Sequence, residues 1–205
     1  MPYLLLLNYV PDAKVWGDGR IVWTQHDADG VRQVWQGRLS EAQLGQLFVQ
    51  AHRAGFFRWK DLYHDPRVAD ASTQCLRLQL RDRAKEVCEY FTGAPEAFHA
   101  LYDFVQGGAG AAGAPYAPQR GWLIAHPLDG FQPEAGMVTL TWPAAQAGMA
   151  LGDAADGVWI EGETLGWAWD VVNANSWANF VRDGADYYQI SLQVPGLNFD
   201  GPAGP

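Results

Sequence analysis

The sequence predicts an α+β protein built on antiparallel sheets, and three patterns lead to this prediction. Apolar and polar residues alternate in short runs such as residues 75–80, as in strands with one buried face. Apolar residues recur three and four positions apart after Ser40 and after Pro95, which is typical of amphipathic helices. Gly-Asp and Asp-Gly pairs separate several of the short runs, as in hairpins. We therefore expect two helices packed on one face of an N-terminal domain, and a second, smaller, mixed and mostly β domain.

The composition bounds the class of protein. The chain has 205 residues, of which 48% are apolar, so it can bury a core and is not a disordered chain. Its net charge of −9 argues against binding nucleic acid, which is driven by Lys and Arg. The longest aliphatic run, residues 4–7, predicts no transmembrane segment, and no secretory signal is recognisable. This favours a cytoplasmic protein, or a cell-envelope protein whose export signal was removed.

The charge and the tryptophans are unevenly distributed. Residues 1–106 contain 12 basic and 13 acidic side chains, whereas residues 107–205 contain two basic and ten acidic ones, together with six of the ten tryptophans. A stretch rich in Gly, Ala and Pro lies between them at 107–118. We therefore predict an α+β domain over 1–106, a linker over 107–118, an acidic Trp-rich domain over 119–200 and a tail over 201–205.

The elements of the first half follow from local signals. We predict a buried strand over 3–10, a hairpin over 14–24 around a turn at 17–19, and a further strand over 31–38. Ser40 and Gln43 form the pattern of a capping box, so a helix begins there, and Gly55 is placed to end it.

The strands 75–80 and 86–91 suit one antiparallel register. In it Cys75 opposes Cys88, Arg77 opposes Glu86, and an apolar pair lies between them. Opposed Cβ atoms lie about 4.5–5.5 Å apart, near disulfide range. Cys75 and Cys88 are therefore a disulfide candidate, and two reduced thiols are the alternative.

The later elements begin with a helix whose first residue is predicted to be Pro95. In the second half, residues 137–142 and 158–160 are predicted strands, and residues 163–172 a helix with apolar side chains around its whole axis. Residues 177–182 and 187–194 form a predicted closing hairpin.

Part of the chain resembles a known family. The residues concerned are the turn and strand Gly-Asp-Gly-Arg-Ile-Val at 17–22, the segments 37–40 and 55–57, Asp70, and the helix start at 95–98. Over about residues 9–106 these resemble an uncharacterised bacterial domain of unknown function that is associated with envelope proteins and lipoproteins. The resemblance implies a fold and supplies no catalytic residues.

The most distinctive candidate site is a cluster of aromatic and polar residues in the second half. Its members are Trp167, Trp169, Asp170, Asn173 and Trp177, with Asn175 and Asn179 nearby. Flat aromatic faces beside amide and carboxylate groups suit a protein hot spot and equally a sugar ring. The third interpretation is that these tryptophans fill the core of a small domain.

Other polar clusters carry weaker signals. The loop with Asp61, His64, Asp65 and Asp70 has no nearby nucleophile and no second histidine at metal-ligand spacing, which favours a structural role. The Asp-Gly turns at 27–30 and 153–157 lack the acids that a calcium loop requires. We expect no catalytic residue, no metal site and no cofactor.

These observations lead to a functional hypothesis. We expect a non-enzymatic protein-interaction or structural module, with the bacterial cell envelope as one candidate location, whose protein partner carries a basic surface. The alternative is a carbohydrate-binding protein, or a glycoside-active enzyme, that uses the Trp, Asp and Asn cluster.

Overall fold

A computed structural model describes residues 8–133, 139–174 and 180–198. Within these residues the fold is α+β, as predicted, with four α-helices and three sheets. The helices are α1 (Glu41–Ala54), α2 (Glu96–Gln106), α3 (Ala144–Ala147) and α4 (Gly162–Ala174), and 3-10 helices cover Phe56–Arg58 and Leu151–Ala154. The strands are β1 (Ala13–Val15), β2 (Arg20–His26), β3 (Arg32–Arg38), β4 (Leu62–His64), β5 (Thr73–Gln79), β6 (Ala84–Tyr90), β7 (Gly113–Pro115), β8 (Gly121–Pro127), β9 (Leu140–Thr141), β10 (Val158–Ile160), β11 (Phe180–Asp183) and β12 (Asp186–Gln193).

The strands form three sheets. One has the order β1-β2-β3-β7, a second β4-β6-β5, and a third β10-β8-β12-β11-β9. In the second sheet β4 runs parallel to β6 and β5 antiparallel to it. In the third sheet only the β9–β11 pair is parallel among the described strands, so the sheet is mixed.

The chain forms two compact units. Unit 1 comprises residues 1–14, 24–36 and 114–205, and unit 2 comprises residues 15–23 and 37–113. The units interleave along the chain, whereas the predicted domains 1–106 and 119–200 are continuous stretches. Residues 113–115 of the predicted linker form β7.

Unit 2 has its core between two helices and one face of the β4-β6-β5 sheet. Side chains from α1, α2 and β6 form this core, and the 3-10 helix after α1 contributes Phe56. The fully buried members are Phe56, Val87 and Phe98, with exposed fractions of 1% or less. The other face of the sheet carries alternate residues of β5, which are exposed.

The predicted ends of α1 are confirmed. The Ser40 hydroxyl accepts a hydrogen bond from the Gln43 amide, and the Gln43 side chain accepts one from the Ser40 amide. Gly55 ends the helix with φ 82°, in the left-handed region that glycine tolerates best. The prediction for α2 was one residue off, because Pro95 has extended backbone (ψ 150°) and is the N-cap, so the helix begins at Glu96.

Unit 1 has its core between α4 and the strands β8 and β12. Leu123 and Leu192 are paired across these strands and are almost completely buried. A Cβ atom on Gly121 would lie 2.7 Å from Leu192 and 2.9 Å from Leu165 of α4, so the helix and the sheet approach closely there. This close approach orients α4 and decides which of its side chains face outward.

Asn8 completes one edge of β12. Its amide donates to the Ile190 carbonyl at 2.9 Å and accepts from the Leu192 amide at 2.8 Å. Among the described residues the pairing of β11 with β12 reaches Gln189, and the Asn8 side chain satisfies backbone groups of Ile190 and Leu192 beyond it. Of the predicted strand 3–10, residues 3–7 lie outside the described residues, and residues 8–10 are not in a strand.

Some predicted elements of the second half are shorter than expected or fall partly outside the described residues. Strand 137–142 is represented by β9, with residues 137 and 138 outside the described residues. Residues 177–179 of the predicted closing hairpin also lie outside, and β11 and β12 form the rest. Strand 158–160 and the helix over 163–172 are confirmed by β10 and α4.

Candidate functional site

Trp167 is the exposed aromatic side chain of helix α4. It is 43% exposed, whereas Leu165 and Ala168 on the same helix are buried. Glu163 and Asp170 lie four residues before it and three residues after it, and both are exposed. Side chains at these spacings share a helix face, so the indole ring lies between two carboxylates. We call Glu163, Trp167 and Asp170 the α4 face.

The carboxyl group of Asp170 is perturbed by its surroundings. Partial burial raises the pKa of Asp170 above its ordinary value of 3.8, because removal from water disfavours the charged form. This side chain therefore carries its charge at some energetic cost to the folded state.

Trp169 has a different environment from Trp167. Its ring lies 5.5 Å from the ring of Tyr116, with an interplanar angle of 56°, and the residue is only partly exposed. Its backbone carbonyl accepts a hydrogen bond from the Asn173 amide at 2.7 Å. Trp169 therefore packs within unit 1.

Asn173 is buried and binds an arginine. Its Oδ1 accepts a hydrogen bond from Arg32 Nε at 2.6 Å, and Arg32 Nη2 donates to the Val172 carbonyl at 3.2 Å. Asn173 is 6% exposed and Arg32 9% exposed. Burial lowers the pKa of the Arg32 guanidinium, which is held by neutral acceptors at the C-terminal end of α4, where a positive charge suits the helix dipole.

The structure therefore divides the predicted aromatic cluster. Trp167 and Asp170 face outward, whereas Trp169 and Asn173 serve packing and hydrogen bonding inside unit 1. Trp177, Asn175 and Asn179 lie outside the described residues. The described part of the site is thus an indole flanked by carboxylates.

Elsewhere in the chain, arginines cover aromatic rings. The guanidinium carbon lies 3.9 Å from the ring centroid for Arg20 over Trp16, and 4.4 Å for Arg120 over Trp159. Guanidinium groups at such distances are attracted to the negative face of the ring. Within the described ranges no lysine or arginine lies over Trp167.

The acidic charge is concentrated in the unit that carries this face. Unit 1 contains four Lys or Arg against 13 Asp or Glu, and unit 2 contains ten of each, so the net charge of −9 belongs to unit 1. Three of the four cations in unit 1 are engaged: Arg32 is buried, Arg120 lies over Trp159, and Lys14 donates to the Gly196 carbonyl at 2.9 Å.

The predicted cysteine pair forms a disulfide. Cys75 and Cys88 are joined in the predicted register, with Leu76 opposite Val87 and Arg77 opposite Glu86. Cys75 is exposed and Cys88 half-buried on the sheet face that points away from the helices of unit 2. The sequence allowed either a disulfide or two free thiols, and the structure has the disulfide.

The polar loop around His64 is held by ion pairs. Asp65 accepts two hydrogen bonds from the Arg67 guanidinium, at 2.9 and 2.6 Å, and these bonds lower the pKa of Asp65. Asp61 accepts one from Lys85 Nζ at 2.6 Å. These carboxylates are therefore engaged with cations of unit 2.

Glu89 and His99 form a contact that the sequence did not indicate. Glu89 is 4% exposed, and its Oε1 accepts a hydrogen bond from the Ala94 amide at 2.7 Å. His99 Nε2 lies 3.5 Å from Glu89 Oε2. The two residues are ten positions apart, on β6 and α2, so no local sequence pattern joins them. In the sequence, the contact could have been suspected only from an acidic residue at an inward-facing strand position.

Two open depressions lie on unit 2. One, of about 650 Å³, is bounded by the turn at 17–19 and the start of α1, and the other, of about 600 Å³, by Phe57, Asp61 and Arg83 among others. Neither includes a residue of the α4 face. In the described part of the chain no group of three or more His, Cys, Asp or Glu is arranged to hold a metal ion.

The fold and this site define an α+β protein with an acidic unit that exposes an aromatic side chain. The family model of a domain of unknown function, DUF6438, matches residues 10–108, close to the 9–106 over which the sequence resembled an uncharacterised domain. Comparisons with curated proteins and with solved structures found no match. Among the described helices, none has the length and apolar character needed to cross a membrane.

Proposed function

We propose that the protein is a non-enzymatic interaction module whose α4 face binds a basic surface of a partner protein. The observation that carries this proposal is the 43% exposure of Trp167 between the exposed Glu163 and Asp170, in a unit that holds the entire net negative charge. Aromatic side chains dominate the energetic centres of protein interfaces, and charge complementarity steers association.

The aromatic–arginine contacts within the chain support a cationic partner. Trp16 and Trp159 each have an arginine of this chain over the ring, at 3.9 and 4.4 Å. Trp167 has two carboxylates beside it, which would also attract a Lys or Arg side chain. A partner's guanidinium over the indole would therefore repeat an arrangement that this protein already uses twice.

The structural roles of other polar groups support a non-enzymatic protein. Asp61 and Asp65 are paired with Lys85 and Arg67, and the two cysteines are joined to each other. The disulfide also supports the proposal that the module works in an oxidising compartment such as the bacterial cell envelope.

The protein-binding proposal is favoured over carbohydrate binding by the environment of two cluster residues. Trp169 packs against Tyr116 and is only partly exposed, and Asn173 is buried and bonded to Arg32, so both side chains already have partners within unit 1. A sugar site would retain only Trp167 and Asp170 from the described cluster.

The test is a binding measurement with a fluorescein-labelled octa-arginine peptide, at about 20 mM and about 300 mM salt, since screening strengthens over this range. We expect binding that weakens with salt and that falls about tenfold in Trp167→Ala, the size of a 1.4 kcal/mol contact. Phe104→Ala is the matched control, because Phe104 is 39% exposed but lies on α2 of unit 2.

Three outcomes separate the alternatives. Loss of affinity in Trp167→Ala but not in Phe104→Ala supports the proposal. Equal affinity in both variants would mean that the peptide binds only through the net charge of the protein, and this result would overturn the proposal. Binding of neutral oligosaccharides that is lost in Trp167→Ala would establish the carbohydrate alternative instead.

A further inference from the structure

Strand β5 differs from every other edge strand among the described residues. The edge strands β1, β4, β7 and β10 have three residues each, and β9 has two. β5 has seven residues and also lies at an edge, in the order β4-β6-β5. Short edge strands protect a sheet from pairing with another chain, so β5 is the edge that lacks this protection.

The hydrogen bonding of β6 shows which groups of β5 point outward. The Cys88 amide donates to the Asp61 carbonyl at 2.9 Å, on the β4 side of β6. Cys88 and Cys75 are therefore a non-hydrogen-bonded pair, consistent with their Cα separation of 4.1 Å. It follows that the N–H and C=O groups of Cys75 point away from β6.

The same orientation recurs at every second residue of the strand. Thr73, Cys75, Arg77 and Gln79 thus direct their backbone groups to the open edge, and all four residues are exposed. Between them Leu76 and Leu78 are half-buried at the margin of the unit 2 core. A strand added here would gain a full ladder and would cover these two leucines.

We propose that β5 pairs antiparallel with β5 of a second copy of this chain. In the register centred on Leu76, Thr73 pairs with Gln79 of the second copy, and Cys75 with Arg77 of the second copy. All four outward-facing residues of each copy then make ladder hydrogen bonds. The two Leu76 side chains oppose each other on the face that carries the helices.

Side-chain charge selects this register. A shift of two residues in one direction would place Arg77 opposite Arg77 of the second copy, and like charges directly opposed are destabilising. The same shift in either direction would leave outward-facing residues unpaired at the strand ends. The register centred on Leu76 avoids both costs, because Arg77 is the only charged residue of β5.

The test uses a pair of double variants that differ in one residue. Thr73→Lys with Gln79→Lys places like charges opposite each other at both ends of the proposed ladder, whereas Thr73→Glu with Gln79→Lys places opposite charges there. Within one copy these positions are about 20 Å apart along the strand, too far to interact. Sedimentation equilibrium over a range of concentrations measures the mass of each protein.

We expect the natural chain to reach twice its mass of 22.6 kDa. The Lys–Lys variant should dimerise at least about tenfold more weakly than the Glu–Lys variant, since two opposed pairs are changed. If circular dichroism shows that the Lys–Lys variant does not fold, the double variant Thr73→Glu with Gln79→Glu replaces it, because it also places like charges opposite each other at both ends of the ladder. A natural chain that stays at the mass of one copy, or a dimer equally strong in all variants, overturns the proposal.

Discussion

Arg32 and Asn173 are joined by a hydrogen bond of 2.6 Å between two buried side chains 141 residues apart in the sequence. The guanidinium also donates to the Val172 carbonyl, so one side chain of β3 binds the C-terminal end of α4. This bond links residues 24–36 to the C-terminal part of unit 1 and thereby holds the helix that presents Trp167. The site is supported by a residue that lies far from it in the chain.

Asn173→Ala should destabilise the protein by about 2 to 4 kcal/mol, because it leaves a buried charged donor with one acceptor fewer. Urea denaturation measures the loss. Gln33→Ala, at an exposed position of the same strand as Arg32, should change the free energy of unfolding by less than about 0.5 kcal/mol. Equal effects of the two substitutions would show that the Arg32 bond contributes little.

Asp170→Asn should stabilise the protein at neutral pH. The pKa of Asp170 is raised in the folded protein, so between 3.8 and that raised value the folded state binds more protons than the unfolded chain. The contribution of this carboxyl to the free energy of unfolding is therefore largest at low pH. It decreases as the pH rises from 3.8 to the raised pKa and is lost above that pKa.

Urea denaturation of both proteins at several pH values tests this expectation. The variant and the natural chain should have equal stability near pH 3, and the advantage of the variant should grow as the pH rises and then level off. An advantage that shrinks with rising pH would contradict the sign of the shift. A carboxylate retained at a cost to stability beside an exposed indole fits a binding role.

Reduction of the Cys75–Cys88 disulfide should destabilise the protein by about 3 kcal/mol, the loop-closure contribution for a separation of 13 residues. Urea denaturation with and without a phosphine reductant measures it. Cys75→Ser with Cys88→Ser is the control, and its stability should match that of the reduced protein and should not respond to the reductant. Two thiols titrated in the unfolded, unreduced protein would rule the bond out.

Gly157→Ala should be far more damaging than Gly130→Ala, although both glycines have positive φ, 86° and 68°. A Cβ atom at Gly157 would lie 2.4 Å from the Trp122 ring, whereas at Gly130 no atom lies within 4 Å. Gly130→Ala should cost only the strain of the left-handed backbone, about 1 to 2 kcal/mol. Thermal denaturation compares them, and equal losses would show that the indole moves aside freely.

Signals confined to neighbouring residues were sufficient for much of unit 2. The capping box of Ser40 and Gln43 and the end of α1 at Gly55 depend on groups within a few residues of one another. The register of Cys75 with Cys88 likewise follows from two strands joined by a short turn, in which only one alignment matches sulfur, charge and apolar side chains. Local chemistry restricts such elements to one arrangement.

The outward face of α4 could not be read from the sequence. Apolar residues surround the helix axis, so Trp167 and Trp169 are equivalent in pattern. The close approach at Gly121 turns Leu165 toward the sheet, and Tyr116 covers Trp169. Only the packing of distant segments determines which indole remains exposed.

By itself the sequence determined the fold class, the ends of α1, the register that places Cys75 opposite Cys88 and the acidic character of the C-terminal half, because each depends on composition or on residues close together in the chain. The tertiary structure alone decided that residues 24–36 join unit 1, that Arg32 binds Asn173, and that Trp167 faces outward between two acids. These features depend on contacts between segments that are distant in the chain, by 141 residues for Arg32 and Asn173 and by about 50 for Tyr116 and Trp169, and such contacts leave no periodic trace in a single sequence.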